Sequence, residues 1–294
     1  MGLWSLLLLC AFAGAVPAGA AGEQASDPGS PAAGRLAAGG DHTCAILANG
    51  SVRCWGLGVD GQLGYGNKDN IGDDETPASA GAVPLGARHT ATAIAAGELH
   101  TCAILDDGSV RCWGYGGDGR LGYGNTRNLG DTPATTPDKL GPVNLGPGRT
   151  ATAITAGNGH TCAILDDGSV LCWGFGANGR LGYGNTSNVG DTPAATPGKV
   201  GPVSLGPGRT AVAISAGMGH TCAILDDGSV RCWGYDFDGE LGYLNLGAGA
   251  DLGDTPATTP DKIGPVSLGG HKAVAISAGG RHTCAILDDG SVRC

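Results

Sequence analysis

One phrase recurs through this chain and limits what it can fold into. "LHTCAILDDGSVRCWG" from Leu99, "GHTCAILDDGSVLCWG" from Gly159 and "GHTCAILDDGSVRCWG" from Gly219 are near copies, and Cys44, Cys102, Cys162, Cys222 and Cys284 mark five units about 60 residues apart. A period of that size belongs to stacked-unit architectures, in which no unit buries its apolar face alone. Each unit repeats the same parts. In the fourth these are "TAVAISAG" (Thr210 to Gly217), "HTCAIL" (His220 to Leu225), the turn "DDG" (Asp226 to Gly228), "SVRCWG" (Ser229 to Gly234), a glycine-rich "DGELGY", and a long polar loop ending in "PVSLG" (Pro265 to Gly269). Short period-two runs bounded by Gly, Asn, Asp and Pro predict strands and hairpins. No stretch beyond the N-terminal region has helical periodicity, so the expected fold class is all-β.

The two cysteines of each unit can be paired by register. A three-residue turn at Asp166, Asp167 and Gly168, a type I turn followed by a left-handed glycine, sets Leu165 opposite Ser169. Counting back, Cys162 falls opposite Cys172. Directly opposed residues of an antiparallel pair have Cα atoms roughly 4.5 to 5.5 Å apart, within reach of a disulfide. A two-residue turn would instead set Cys162 against Trp173. The expectation is therefore five hairpin disulfides: Cys44 with Cys54, Cys102 with Cys112, Cys162 with Cys172, Cys222 with Cys232, and Cys284 with Cys294.

The N-terminal residues agree with an oxidising destination. Leu3 to Val16 is an apolar run of 14 residues followed by "PAGAAGEQ", with Ala18 and Ala20 at the small-residue positions of a signal-peptidase site. Residues 1–20 are thus expected to be a signal peptide, removed together with the eleventh cysteine, Cys10, and residues 21–34 a flexible spacer. The run is shorter than the roughly 20 residues a bilayer span requires, so no membrane span is expected. Locally paired cysteines in an exported chain form a disulfide framework and place the protein outside the cytosol, secreted or periplasmic.

Composition removes several function classes. Charged residues make up 15% of the chain, and the net charge is −10 with only 17 Lys and Arg, none of them in a basic run. Nucleic acid is not an expected partner, because phosphate binding draws its affinity from clustered cations. His160, Cys162 and Cys172 do not have structural zinc spacing, and "GDTPATTPD" matches no calcium loop, so no metal or cofactor is expected.

Taken together, "AAGELHTCAILDDGSVRCWG" from Ala95 and "DGQLGYGN" from Asp60 resemble the regulator of chromosome condensation repeat family, and the match recurs from about Leu36 to the last residue. The paired cysteines resemble exported bacterial members in particular. The resemblance implies a β-propeller, which in this family usually has seven four-stranded blades. It also makes Trp55, Trp113, Trp173 and Trp233 packing residues between strands or blades. Blades are expected at about 35–86, 87–146, 147–206 and 207–269, with a partial fifth at 270–294. Four and a half blades imply an incomplete ring, a ring with fewer blades, or an assembly with another copy of the chain.

For function, the expectation is a non-catalytic binding module that takes a protein or cell-surface ligand through its long loops. The candidates lie on the loops that differ between units: Lys68, Asp69, Arg127, Asn128, Ser187, Asn188, Tyr235, Asp236 and Phe237. Two other readings follow from the resemblance: guanine-nucleotide exchange with chromatin docking, and secreted enzyme inhibition. No position here matches a family exchange residue. An enzyme is the remaining class, for which His89 and His271 are the two imidazoles outside the repeated H-T-C motif, but neither lies in a nucleophile motif.

Overall fold

The computed structural model describes residues 35–244 and 250–294; the expected signal peptide, the spacer and part of the fourth long loop lie outside the described residues. The repeat folds into five antiparallel sheets of three strands, each a meander in chain order. The first holds β1 (Leu36–Ala38), β2 (His42–Ile46) and β3 (Val52–Gly56), and the second β4 (Ala91–Ala96), β5 (His100–Leu105) and β6 (Val110–Gly114). The third holds β7 (Ala151–Ala156), β8 (His160–Leu165) and β9 (Val170–Gly174), and the fourth β10 (Ala211–Ala216), β11 (His220–Leu225) and β12 (Val230–Gly234). The fifth holds β13 (Ala273–Ala278), β14 (Thr283–Leu287) and β15 (Val292–Arg293). Among the described residues helix is confined to single turns, the longest being Pro197–Val200.

The hairpin register is the one the turn requires. Leu165 N–H donates to the Ser169 carbonyl at 2.8 Å, Gly168 takes φ +77°, and Cys162 stands opposite Cys172. All five cysteine pairs are disulfide-bonded, with Cα separations of 4.0 to 4.1 Å. A partly buried tyrosine braces each of the first four pairs from the glycine-rich segment. The Tyr183 hydroxyl accepts the Cys172 N–H and donates to the Cys172 carbonyl, both at 3.0 Å, and Tyr65 does the same at Cys54.

The fourth strand expected of each blade is reduced to two isolated points of contact. Gly56, Gly114, Gly174 and Gly234 make single antiparallel bridges to Ile71, Leu129, Val189 and Leu252. Farther along each loop, Val83, Val143, Val203 and Val266 donate to the carbonyls of Val52, Val110, Val170 and Val230. The segments between these points are rich in Gly, Pro and Asp, which cannot sustain a period-two ladder.

Neighbouring sheets are locked by two devices. The first is the tryptophan, whose indole crosses from one blade onto the glycine-rich segment of the blade before it. Trp113, Trp173 and Trp233 are fully buried, and the Trp113 and Trp233 indole N–H groups donate to the Gln62 and Arg180 carbonyls at 3.0 Å. Gly64, Gly122 and Gly182 form the floor, where a Cβ would come within 2.8 to 3.0 Å of the indole nitrogen. Trp55, in the first blade, is only half-buried.

The second device is a ladder of side chains along the H-T-C motif. His42 Nε2 meets Thr101 Oγ1 at 2.7 Å, and the pairs His100–Thr161, His160–Thr221 and His220–Thr283 follow at 2.9 Å. The threonine hydroxyls of blades two to four donate their one proton to the Gln62, Arg120 and Arg180 carbonyls at 2.8 to 3.0 Å. The histidines facing them must therefore be the donors, which fixes the Nε2–H tautomer. The imidazoles thus bond the next blade rather than their own. Burial pulls His42 and His220 down to about 4 and holds His100 and His160 well below the usual imidazole range. The glycine ending each "A-G" is required by the same imidazole: a Cβ at Gly157 would lie 2.5 Å from His160 Cε1.

The fifth sheet is covered on one side only. Where β8 and β11 are buried throughout, β14 exposes Ile286, and Val292 of β15 is also exposed. The ring is not closed.

Candidate protein-binding face

Five equivalent turns, one per blade, converge on a cavity of about 310 Å³. Each turn is an "A-G-x" at the end of a first strand, and the variable position is Gly40, Glu98, Asn158, Met218 or Gly280. Beside this cavity lies a second hollow of about 340 Å³, sharing Asn158, Met218 and Gly280 with it and walled by Phe175, Arg180 and Tyr235.

Its chemistry comes from the residue after each W-G pair. Leu57, Tyr115, Phe175 and Tyr235 occupy that position, and the three aromatic rings are partly exposed. The Arg120 guanidinium lies 4.7 Å from the Tyr115 ring centroid and Arg180 lies 4.8 Å from that of Phe175, within cation–π range. These arginines are not free to bind an anion. Arg120 donates to the Gly117 and Asn158 carbonyls, and Arg180 to those of Ala177 and Met218, so each ties its loop to the next blade's inner turn. Desolvation lowers the pKa of Arg180. What remains available is apolar and aromatic: the ring faces, Met218 at 46% exposure, and Phe237 at 62%, stacked on Tyr235 at 6.1 Å.

The sequence-predicted loop residues divide into two groups. Tyr235 and Phe237 stand on this face. Asp236 between them is buried and accepts the Leu241 N–H, with its carboxyl pushed up by desolvation. Asn128 and Asn188 bind back to Gly116 and Gly176 N–H, fastening the long loops to the aromatic loops. Lys68, Asp69, Arg127 and Ser187 are exposed, and Lys68 lies 3.6 Å from Asp131 of the next blade's loop. Sequence reading missed Tyr115, Arg120, Arg180, Asn158 and Met218, although the aromatic position after W-G recurs at the repeat period.

The two unmatched histidines also belong to the repeat. His89, Arg149, Arg209 and His271 occupy one equivalent position, each beside the Asp-Asp turn of its own blade: His89 on Asp106 at 3.0 Å, Arg149 on Asp166 at 2.8 Å, His271 on Asp288 at 3.0 Å. The Arg149 pair holds the Asp166 carboxyl below the usual range. His89 with Asp106 and Asp107 could supply three metal-ligating atoms, as could His271 with Asp288 and Asp289, but arginine stands in the imidazole's place in the blades between them. The carboxylates act there as partners for a cation of the chain itself.

A blade-repeat scaffold, stapled by disulfides and presenting aromatic loops around a central cavity, is the class defined by this fold and face. Models of the regulator of chromosome condensation (RCC1) repeat match residues 49–104, 107–164 and 167–224, and a second model of the same repeat matches 35–62, 91–120, 151–180, 211–240 and 273–294. The chain belongs to that family. It is 31% identical over 249 residues to the ultraviolet-B receptor UVR8 of Arabidopsis thaliana, covering 83% of this chain and 51% of that protein. It is 30% identical to the mitochondrial RCC1 domain-containing protein RUG3 of the same plant, covering 84% and 50%. The match to the human E3 ubiquitin-protein ligase HERC2, at 29%, covers 86% of this chain and 5% of that protein. The chain thus spans at most about half the length of these relatives. Among solved structures, Prp20p from Saccharomyces cerevisiae, described with its binding to Gsp1p and histones, superposes with TM-score 0.64 at 23% identity over 87% of this chain and 56% of that one. Human WBSCR16 gives 0.61 at 20% identity over 86% and 57%.

Proposed function

We propose that the protein is an exported, non-catalytic binding module that engages a protein or cell-surface ligand through the aromatic face beside its central cavity. The observation that carries this reading is the exposure of Phe237 and Met218 on the face that also presents Tyr115, Phe175 and Tyr235, with the Tyr115 and Phe175 loops tied down by Arg120 and Arg180. Aromatic and methionine side chains are enriched in interface cores, and a preorganised loop loses little entropy on binding. Five disulfides and the apolar N-terminal run support the exported half of the proposal. The reading agrees with Prp20p, whose description is of binding to other proteins.

A photo-crosslinking residue placed at Phe237 should capture a discrete partner at the cell surface, whereas the same residue at Val212, 60% exposed on a first strand, should not. Equal capture at both sites, or none at Phe237, would refute the assignment of the face.

A further inference from the structure

An asparagine followed by glycine is open to attack by its own backbone, because glycine sets no side chain between its nitrogen and the asparagine Cγ. The pair occurs three times, at Asn49-Gly50, Asn158-Gly159 and Asn178-Gly179, and the fold treats the three differently. Asn49 Oδ1 accepts the Ser51 N–H at 3.1 Å and the Ser51 hydroxyl at 2.7 Å, and the Gly50 N–H donates to the Leu47 carbonyl at 2.9 Å. Asn178 donates to Asp251 at 2.7 Å and accepts from Arg180 at 3.2 Å, and the Gly179 N–H donates to the Gly176 carbonyl at 3.2 Å. At both sites the amide and the nitrogen that would attack it are held.

Asn158 and Gly159 form the tip between β7 and β8, the inner turn of the third blade. Among the described residues the one hydrogen bond made by Asn158 is at its backbone carbonyl, which accepts from Arg120 Nη1 at 3.1 Å, and the Gly159 N–H has no partner. The tip is also tied less firmly than its equivalents: Gly40, Glu98 and Met218 donate their backbone N–H to a glycine carbonyl of the next blade at 3.1 to 3.3 Å, and Asn158 does not. Asn158 is half-buried and lines both hollows of the face, so water reaches it. The carbonyl bonded by Arg120 belongs to the same peptide unit as the Gly159 nitrogen. When that nitrogen loses its proton the charge spreads onto this oxygen, where the guanidinium stabilises it. Arg120 lies against Gly159 as well, since a Cβ there would come within 3.3 Å of Nη2.

We infer that Asn158 is a self-modification site, which deamidates in the folded protein ahead of Asn49 and Asn178 with Arg120 as the activating cation. The Gly159 nitrogen gives its proton to hydroxide and bonds to Asn158 Cγ; the Cγ–Nδ2 bond breaks and ammonia leaves, its added proton coming from water. One water then opens the succinimide ring at either carbonyl, giving aspartate or isoaspartate. The net change is amide plus water to carboxylic acid plus ammonia, with no oxidation or reduction. A carboxylate is thereby added to the inner turns, where Glu98 is the one acidic residue among the five variable positions. The isoaspartate product also inserts a methylene into the backbone beside the Arg120 tie.

The test ages the oxidised protein in mildly alkaline buffer, with and without urea, and quantifies aspartate and isoaspartate at the three sites by peptide mapping. The bonds holding the other two sites must be given up before they react, so Asn158 is expected to lead in buffer by about tenfold or more, and the lead should vanish in urea. Equal conversion at the three sites in buffer, or a lead that persists in urea, would overturn the site, because the selectivity would not then come from the fold. A neighbouring opposite charge moves a pKa by about one to three units, so Arg120→Gln should slow Asn158 by about tenfold or more at an unchanged Asn49 rate, and Arg120→Lys should keep most of the rate. An Arg120→Gln rate that is unchanged or higher, as expected of an arginine that only stiffens the tip, would overturn the activating role. None of these outcomes depends on the Phe237 crosslink.

Discussion

Acidification should destabilise this protein well above the pH at which its carboxylates titrate, because its blades are joined through neutral histidines. His42 and His220 are held at about 4 by burial, against 6.5 for an exposed imidazole. Since the folded value is the lower one, the unfolded chain binds more protons between pH 7 and pH 4, and stability falls as pH falls through that window. At pH 5 each of these two residues costs about 2 kcal/mol relative to pH 7, or about 4 kcal/mol for the pair, from the ratio of the two protonation polynomials. His100 and His160 act in the same direction. Set against a typical stability of about 5–15 kcal/mol, this is a large fraction. The depressed carboxylates, such as Asp106 and Asp166, contribute only as pH approaches and passes below 3.8, so the two effects separate. Urea denaturation of the oxidised protein at pH 7 and pH 5, followed by fluorescence of the buried tryptophans, measures the difference. In His42→Gln, where an amide N–H replaces the Nε2 donor to Thr101, the pH dependence should shrink by about 2 kcal/mol. A stability that is flat from pH 7 to pH 5, or a His42→Gln protein with unchanged pH dependence, would refute the neutral-ladder reasoning.

Other outcomes follow from the same packing. Trp173→Ala should cost about 3–5 kcal/mol in denaturation midpoint analysis, whereas Trp55→Ala, at a half-buried site, should cost clearly less. Thr221→Val removes the acceptor for His160 and the donor to the Arg180 carbonyl, both buried, and should cost about 1–3 kcal/mol. Replacing Cys162 and Cys172 together by alanine should lower stability by somewhat under about 3 kcal/mol, as expected for a short closed loop, and intact mass of the oxidised wild type should show all ten paired cysteines without thiol protons. Arg149→Ala should leave the melting temperature unchanged, because its aspartate partners are solvent-exposed.

What the sequence made legible was whatever is local. The Asp-Asp-Gly turn sets the hairpin register within ten residues, and the cysteine pairing follows from it. The family resemblance implied that the tryptophans pack, and Trp113, Trp173 and Trp233 are buried while Trp55 is half-buried. The blade-to-blade contacts were hidden because their partners lie about 60 residues apart: nothing near His160 names Thr221. The aromatic face was half legible, since Phe237 breaks the repeat and draws notice to Tyr235 beside it, whereas Tyr115 and Phe175 follow the repeat. Nothing in the sequence shows that the Asp236 and Asn128 side chains bond back to their own loops. His89 and His271 looked exceptional only because the equivalent arginines do not resemble histidine in a sequence.

The histidine-to-threonine ladder also gives every blade a direction. One flank carries the imidazole and the other the hydroxyl and indole, so the two sides of a blade are chemically unlike. Two copies meeting through a twofold axis would set one imidazole flank against another, with no hydroxyl to receive either histidine. Any self-association through these flanks is therefore heterologous and vectorial, like links joined hook to eye. Such an interface has two fates: it closes on itself after a fixed number of copies, or it continues into a filament.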